Sequence, residues 1–333
     1  MQNPGPRGAA PAAWALTALT LTLTNAASLA GQSGGGEVAS QECCLPLLLS
    51  IGARALSIGD AVSARSGPGS LFANPALIAD VVHDQFLVHN ANTTIDKQNT
   101  FTLLIHSDVA GSFALSYRLI DYGEQEARDP DGNLTGSVAT LEQEVVATYA
   151  TRVVPGVSAG VSYTLYQYRV DCRGFCNTEG FAATTHGIDL GLQVEPPSMR
   201  YLALGASIVH LGFPLQVVNR EQASPLPLRV RTGAAYEVLH HFREDSTVAV
   251  WASTDIVTNP REGSVVVNVG AELSLEETIF LRAGYGSGRG IAGGAAVGVG
   301  LRYDRFDISV AKSFVSTPID DSEPIQITFA IRF

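Results

Sequence analysis

Serines, histidines, cysteines and paired acids are the side chains with which this chain could do covalent or acid–base chemistry, and their spacing speaks against it. Ser57, Ser63, Ser66 and Ser70 lie near glycines, but none occupies the G-x-S-x-G turn that exposes a nucleophile. No H-E-x-x-H and no phosphate-cradling loop occurs. His240 and His241 are adjacent, so on a strand their side chains diverge. His83, His89, His106, His186 and His210 are scattered over several segments. Glu142 with Glu144, Asp189 with Glu195, and Arg229 with Arg231 each share one face of a strand, which favours structural pairing over catalysis. Asp129, Asp131 and Asn133 have calcium-like spacing, but the rest of an EF-hand loop is missing, so a turn is expected. Cys172-Arg173-Gly174-Phe175-Cys176 lies between two strand patterns and is expected to close a small loop disulfide in an oxidising compartment. Cys43 and Cys44 lack the partner pair and spacing of a metal site. The expectation is no catalytic residue, no metal and no cofactor.

The elements that carry these residues begin with an export leader. Arg7, an apolar stretch from Ala9 to Leu23, and small residues up to Ala30 read as a signal peptide over 1–30, cleaved after Ala30. Residues 31–80 read as a compact plug or hatch, Gly/Ser-rich at first. A short helix or packed irregular segment follows around Gly52, Arg54 and Gly59, with a fixed bend at Asn74-Pro75. Ser70 is placed to cap a helical piece over Leu71 to Ile78. Arg54 is the one charge in an apolar run. It either locks the hatch to an inward carboxylate or extends into water.

From about residue 83 the pattern is β throughout the barrel region 81–333. Fourteen strands are expected, approximately 83–91, 98–107, 111–121, 141–153, 157–170, 181–195, 201–211, 226–238, 246–257, 263–275, 278–287, 292–303, 305–315 and 324–333. Most match the nine to eleven residues that a tilted barrel strand needs to cross a bilayer. The last is the clearest: Ile325, Ile327, Phe329, Ile331 and Phe333 alternate with Gln326, Thr328, Ala330 and Arg332. In a barrel this strand, with Phe329 and the terminal Phe333, closes against the first, because no edge can stay open in lipid. Charged residues keep to the non-apolar face elsewhere too, as a lumen requires. The inner connections are short (Pro155-Gly156, Glu276-Glu277). Those expected outside are longer, notably 122–140 and 212–225. A net charge of −11 argues against nucleic acid as a partner. The fold class is therefore an all-β, antiparallel transmembrane barrel in the bacterial outer membrane, with outer-membrane lipid and lipopolysaccharide as its surroundings.

Gly52-Ala53-Arg54-Ala55-Leu56-Ser57-Ile58-Gly59-Asp60-Ala61, Asn74-Pro75-Ala76, Tyr122-Gly123 with Asp131-Gly132-Asn133, the 227–236 strand, and Leu281-Arg282-Ala283-Gly284-Tyr285 with Gly294 and Gly298-Val299-Gly300-Leu301 resemble, in order, motifs of the PorV/PorQ family. Ile58 and Asp60 stand where that family has methionine and glycine. The resemblance implies a fourteen-stranded FadL-like barrel. It also implies an accessory or cargo-binding role in a type IX-like export or surface-attachment system, with secreted cargo proteins or translocon components as partners. The alternatives are a FadL-type channel for apolar small molecules and a structural surface-complex barrel.

Overall fold

The computed structural model describes residues 42–92, 96–176, 180–217, 221–239, 247–288, 293–314 and 324–333. The expected leader (1–30), residues 31–41, and His240 and His241 lie outside the described residues.

Fourteen antiparallel strands form one closed barrel. They are β1 (Gln85–Asn92), β2 (Lys97–Ser107), β3 (Gly111–Arg128), β4 (Leu134–Val154), β5 (Val157–Gly174), β6 (Phe181–Val194), β7 (Leu202–Gly212), β8 (Arg229–Glu237), β9 (Val248–Asn259), β10 (Ser264–Leu275), β11 (Ile279–Ser287), β12 (Gly293–Tyr303), β13 (Phe306–Ser313) and β14 (Ile325–Arg332). Closure is made as the alternation of the last strand requires. β14 pairs with β1 from Gln85↔Arg332 to Asn92↔Ile325, and Phe333 N–H donates to Asp84 O at 3.0 Å. Phe329 stacks on Phe306 with ring centroids 6.1 Å apart, and Phe333 stays exposed.

Polarity is inverted relative to a water-soluble core. Val267 and Leu281 are 42% and 44% exposed, whereas Arg118 and Asp255 on inward faces are 1% and 0% exposed. A soluble sandwich with this arrangement would bury its charges and wet its aliphatic residues; lipid outside and a polar lumen inside reconcile both.

The wall is uneven in height. The stretch 122–140, expected as a loop, is a continued β3–β4 hairpin whose register slips between Asp121 and Glu124. β5 extends it further, so β3–β5 stand well beyond the other strands. The pairing persists because Gly123 takes a left-handed φ of 73° at the slip, which lets the chain twist and resume.

Residues 42–84 fill the lumen instead of joining the wall. Proline opens two of their 3-10 turns, Leu45–Leu48 and Pro75–Asp80, where its missing N–H is not needed. One short α-helix, α1 (Ala53–Ser57), contacts the inner faces of β11–β14. Ser70 does not cap a helix: its hydroxyl closes a local turn on Gly67 O at 2.8 Å, and the Ser70–Phe72 turn starts after Gly69. Asn74 does cap the next turn, its Oδ1 accepting from Ala76 N–H at 3.1 Å.

Candidate functional site

The segment from Glu42 to Asp84 runs down the lumen from the end with the long connections to the end with the tight turns. At the outer end Glu42 accepts from Nη1 and Nη2 of Arg229, at 3.0 and 2.9 Å. Below it Arg118 donates to Pro46 O at 2.9 Å and Gln326 to Ser50 O at 2.9 Å. Ala53 N–H donates to Thr328 Oγ1 at 2.8 Å. The hatch thus hangs from strands at opposite ends of the sequence.

Two ionic nodes hold its middle. Glu272 on β10 receives Arg54 Nε at 3.1 Å and Arg282 Nε at 2.6 Å, and it also bonds Arg65, whose guanidinium lies 4.3 Å over the Trp251 ring. Of the two roles open to Arg54, the structure has it buried on this carboxylate. Asp255 on β9 receives Val62 N–H, Ser63 N–H and Ser63 Oγ at 3.2, 3.0 and 2.5 Å. Arg231 joins Asp255 at 3.1 Å to Asp60 at 2.9 Å. A buried carboxylate is tolerable only when each lone pair has such a donor.

The closest contacts involve no wall side chain. Gly160 pairs with Gly191, Gly205 with Gly233, and Gly270 with Gly284, always across neighbouring strands and always facing inward. A Cβ on Gly205 would lie 1.8 Å from Ser63 O, one on Gly284 2.2 Å from Ile58 C, and one on Gly160 2.5 Å from Pro75 C. Hatch backbone therefore rests directly on wall backbone at three seats. Asn74 and Pro75 occupy the first, where Asn74 Nδ2 donates to Leu192 O at 3.0 Å. Gly59 occupies the last, with φ 63° and the Tyr285 backbone where its Cβ would be. Gly52, at φ 97°, leaves room for the His89 imidazole.

Among the described residues, two of the cavities beside this plug are large enough for a small molecule. The outer one, about 250 Å³, lies between Leu47–Ile51, Val62 and Phe72 of the hatch and Val209, Val257 and Val266 of the wall, and Asp60, His210, Arg229, Arg231, Asn259 and Asn268 line it too. The inner one, about 200 Å³, lies between the turn Ser66–Leu71 and Leu87, Leu104, Ala330, Arg302, Asp307 and Arg332. Gly69 borders both, and the turn Gly69–Phe72 contributes lining to each.

The remaining expected sites stand apart from this assembly. Cys172 and Cys176 are disulfide-bonded at the tip beside β5, and Cys43 and Cys44 are bonded to each other. Asp129 is spent on its own turn, accepting from Asn133 N–H at 2.8 Å, Asn133 Nδ2 at 3.0 Å and Asp131 N–H at 3.0 Å. The Asn133 bonds hold its carboxyl below the usual aspartate range. Among the described residues no three His, Cys, Asp or Glu gather as a metal site. Glu272, Arg65, Arg302, Arg332, the glycine pairs and the valines of the outer cavity were not singled out from sequence. The repeated glycine at inward positions, as in Arg231-Thr232-Gly233 and Arg282-Ala283-Gly284, was the available signal.

No family model matches the chain, and no curated protein matches its sequence. Solved structures do match. The toluene transporter TodX of Pseudomonas putida superposes with a TM-score of 0.54 at 12% identity, over 86% of this chain and 99% of that one. The CymD monoaromatic hydrocarbon channel does so with a TM-score of 0.53 at 14% identity, over 86% and 97%. A deltaS2 mutant of TodX gives 0.54 at 13% identity, over 86% and 98%. At such identities the likeness is one of fold. It overturns the expected PorV/PorQ membership and the expected accessory role in type IX-like export. The motifs behind that expectation, Gly52-Ala53-Arg54 and Asn74-Pro75-Ala76, are hatch-seating residues. They report how a plug fits a fourteen-stranded wall, which is shared architecture, and carry no information about secreted cargo. The chain is an outer-membrane β-barrel that shares the fold of these channels.

Proposed function

We propose that this barrel passes small hydrophobic molecules across the outer membrane, with the hatch as its gate. The observation that carries the proposal is the outer cavity: a pocket in which Leu, Ile, Val and Phe side chains form an apolar wall beside polar and charged groups, floored by the hatch. Its 250 Å³ exceeds the roughly 150 Å³ that suffices for benzene in an apolar cavity. The structures of like fold include a toluene transporter and monoaromatic hydrocarbon channels, which agrees in ligand size.

The energetics suit passage. Burying about 150 Å² of a single aromatic ring contributes about 4 kcal/mol, a dissociation constant near 1 mM before binding costs. A molecule held that loosely can enter from lipopolysaccharide and leave again. Onward movement would run past the Gly69–Phe72 turn, whose Gly69 borders both cavities. The deeper seats at Ser63 and Asn74 can stay bonded.

The test is uptake of labelled toluene by cells bearing the protein, compared with cells bearing Val257→Trp or Val266→Trp, which fill the outer cavity. Faster uptake than in cells without the barrel, reduced several-fold by either tryptophan, is the expected result. Uptake equal to that of cells without the protein refutes the proposal.

A further inference from the structure

The two cavities differ in charge. In the outer cavity each arginine is answered: Arg229 by Glu42, Arg231 by Asp60 and Asp255. In the lining of the inner cavity the count is unequal. Nor does the hatch's middle node offer a spare acid, since Arg54, Arg65 and Arg282 share the one carboxylate of Glu272. Arg302 engages Asp307 at 3.2 Å, the only acid that lines the cavity. Arg332 is salt-bridged to no carboxylate among the described residues. Its Nη2 donates to the Asp304 carbonyl at 2.7 Å, and its buried Nε has no partner. The Asp304 side chain is turned to Arg305 at the exposed turn, 3.6 Å away. Two guanidinium groups thus stand against one carboxylate in the lining of this cavity, within a chain whose net charge is −11. An uncompensated guanidinium in a partly desolvated site favours an anion, and its fork matches a carboxylate.

Besides Ser66, Ser70 and Gln85, the rest of the inner cavity's lining is apolar or glycine. Leu71, Ile78, Leu87 and Leu104 face the two arginines across a space of about 200 Å³. A bare inorganic anion would leave those side chains without contact, and a plain hydrocarbon would leave Arg332 unanswered.

We infer that the inner cavity binds a small apolar anion, a single ring bearing a carboxylate, with the ring on Leu87 and Leu104 and the carboxylate on Arg302 and Arg332. This deepens the channel reading and rests on it for the ligand's route: the barrel discriminates at its inner end in favour of monoaromatic acids over neutral hydrocarbons.

The test is calorimetric titration of the detergent-purified full chain with benzoate, with toluene and inorganic phosphate as competitors. The variants are Arg302→Gln, Arg332→Gln and Leu104→Phe, each checked for a closed barrel by its heat-dependent migration on gels. Saturable benzoate binding is expected, weakened about tenfold by either glutamine, as the loss of one charge-assisted hydrogen bond implies. Leu104→Phe, which fills the apolar half without touching the arginines, weakens it as well. Displacement of benzoate by inorganic phosphate at equal concentration overturns the inference, since the site would then read charge alone. So does unchanged affinity in both glutamine variants. Toluene uptake by cells reads the channel separately. Normal uptake with no benzoate binding rejects the inner site alone, and benzoate binding without uptake keeps the site and rejects the route.

Discussion

Replacing Gly205 by alanine adds one methyl group and should unseat the hatch while leaving the wall intact. The new Cβ would lie 1.8 Å from Ser63 O, and real Cβ atoms essentially never come within 3.0 Å of a neighbour. The obstacle is backbone on both sides, so no side chain can swing away, and Ser63 must retreat by more than an ångström. At that displacement the bonds from Val62 N–H, Ser63 N–H and Ser63 Oγ to Asp255 are lost. Hydrogen bonds to a charged group contribute about 1.5–3 kcal/mol each, so the hatch loses roughly 5 kcal/mol or more of its hold. Asp255 keeps Arg231, and the β7–β8 ladder through Gly205↔Gly233 is unchanged in its hydrogen bonds. The expected phenotype is a barrel that still closes, shown by heat-dependent gel migration, but whose residues 58–76 exchange amide hydrogens much faster and whose single-molecule conductance rises. Gly233→Ala, with its Cβ 2.2 Å from Asp255 Oδ1, should behave alike. Val267→Ala on the lipid face should not. Wild-type exchange and conductance in Gly205→Ala would show that wall backbone does not seat the hatch.

Further outcomes follow from the same contacts. Glu272→Gln strands three arginines and should cost about 3–5 kcal/mol, the usual loss on breaking a buried pair, read as a lower denaturant midpoint. Adding Arg65→Met should recover part of that loss. Leu281→Arg places a charge on the lipid face and should cost about 2–4 kcal/mol at mid-depth, seen as poor assembly into vesicles. Asp129 is held below its ordinary pKa by the Asn133 bonds. The order it gives the β3–β4 tip is therefore complete above the ordinary aspartate range and lost as the pH falls through the lowered folded-state value. Pepsin should nick that tip more readily at the acid end of this window, and Asp129→Ala should be nicked across all of it. Reduction of Cys172–Cys176 should raise protease access at the β5 tip while the barrel's thermal midpoint stays put.

The wall was legible in the sequence because one force, the exclusion of charge from lipid, writes period two into every strand. Ile325 to Arg332 and Val265 to Leu275 show it without ambiguity. Height was less legible. Beyond the membrane both faces meet water, so 122–128 and 134–140 lose the alternation and look like a loop while pairing as strands. The hatch was legible as a break in the pattern, but its grips were not. Arg54 was noticeable as a lone charge, whereas Glu272 is one acid on one of many alternating strands, and only closure brings it to Arg54, 218 residues away. The glycine seats escaped notice for a related reason. Gly205 and Gly233 look like ordinary weak points of two strands until their register sets them side by side under Ser63. The type IX expectation failed differently: the matched residues were real, but they describe seating, which different tasks can share.

The length of those hatch contacts along the chain has a consequence for assembly. Ala53 is held by Thr328, 275 residues later, and Ser50 by Gln326, 276 residues later. The segment that fills the lumen is made well before the strand that completes its grip. Seating is therefore completed only at closure, and threading a plug into a finished barrel would mean dragging buried arginines past one another. The wall has to curl around a segment already lying in place. A chain stalled before β14 would carry a hatch bound along one side and open along the other. The final strand then does two things in one step: it seals the sheet against lipid and commits the plug to its socket.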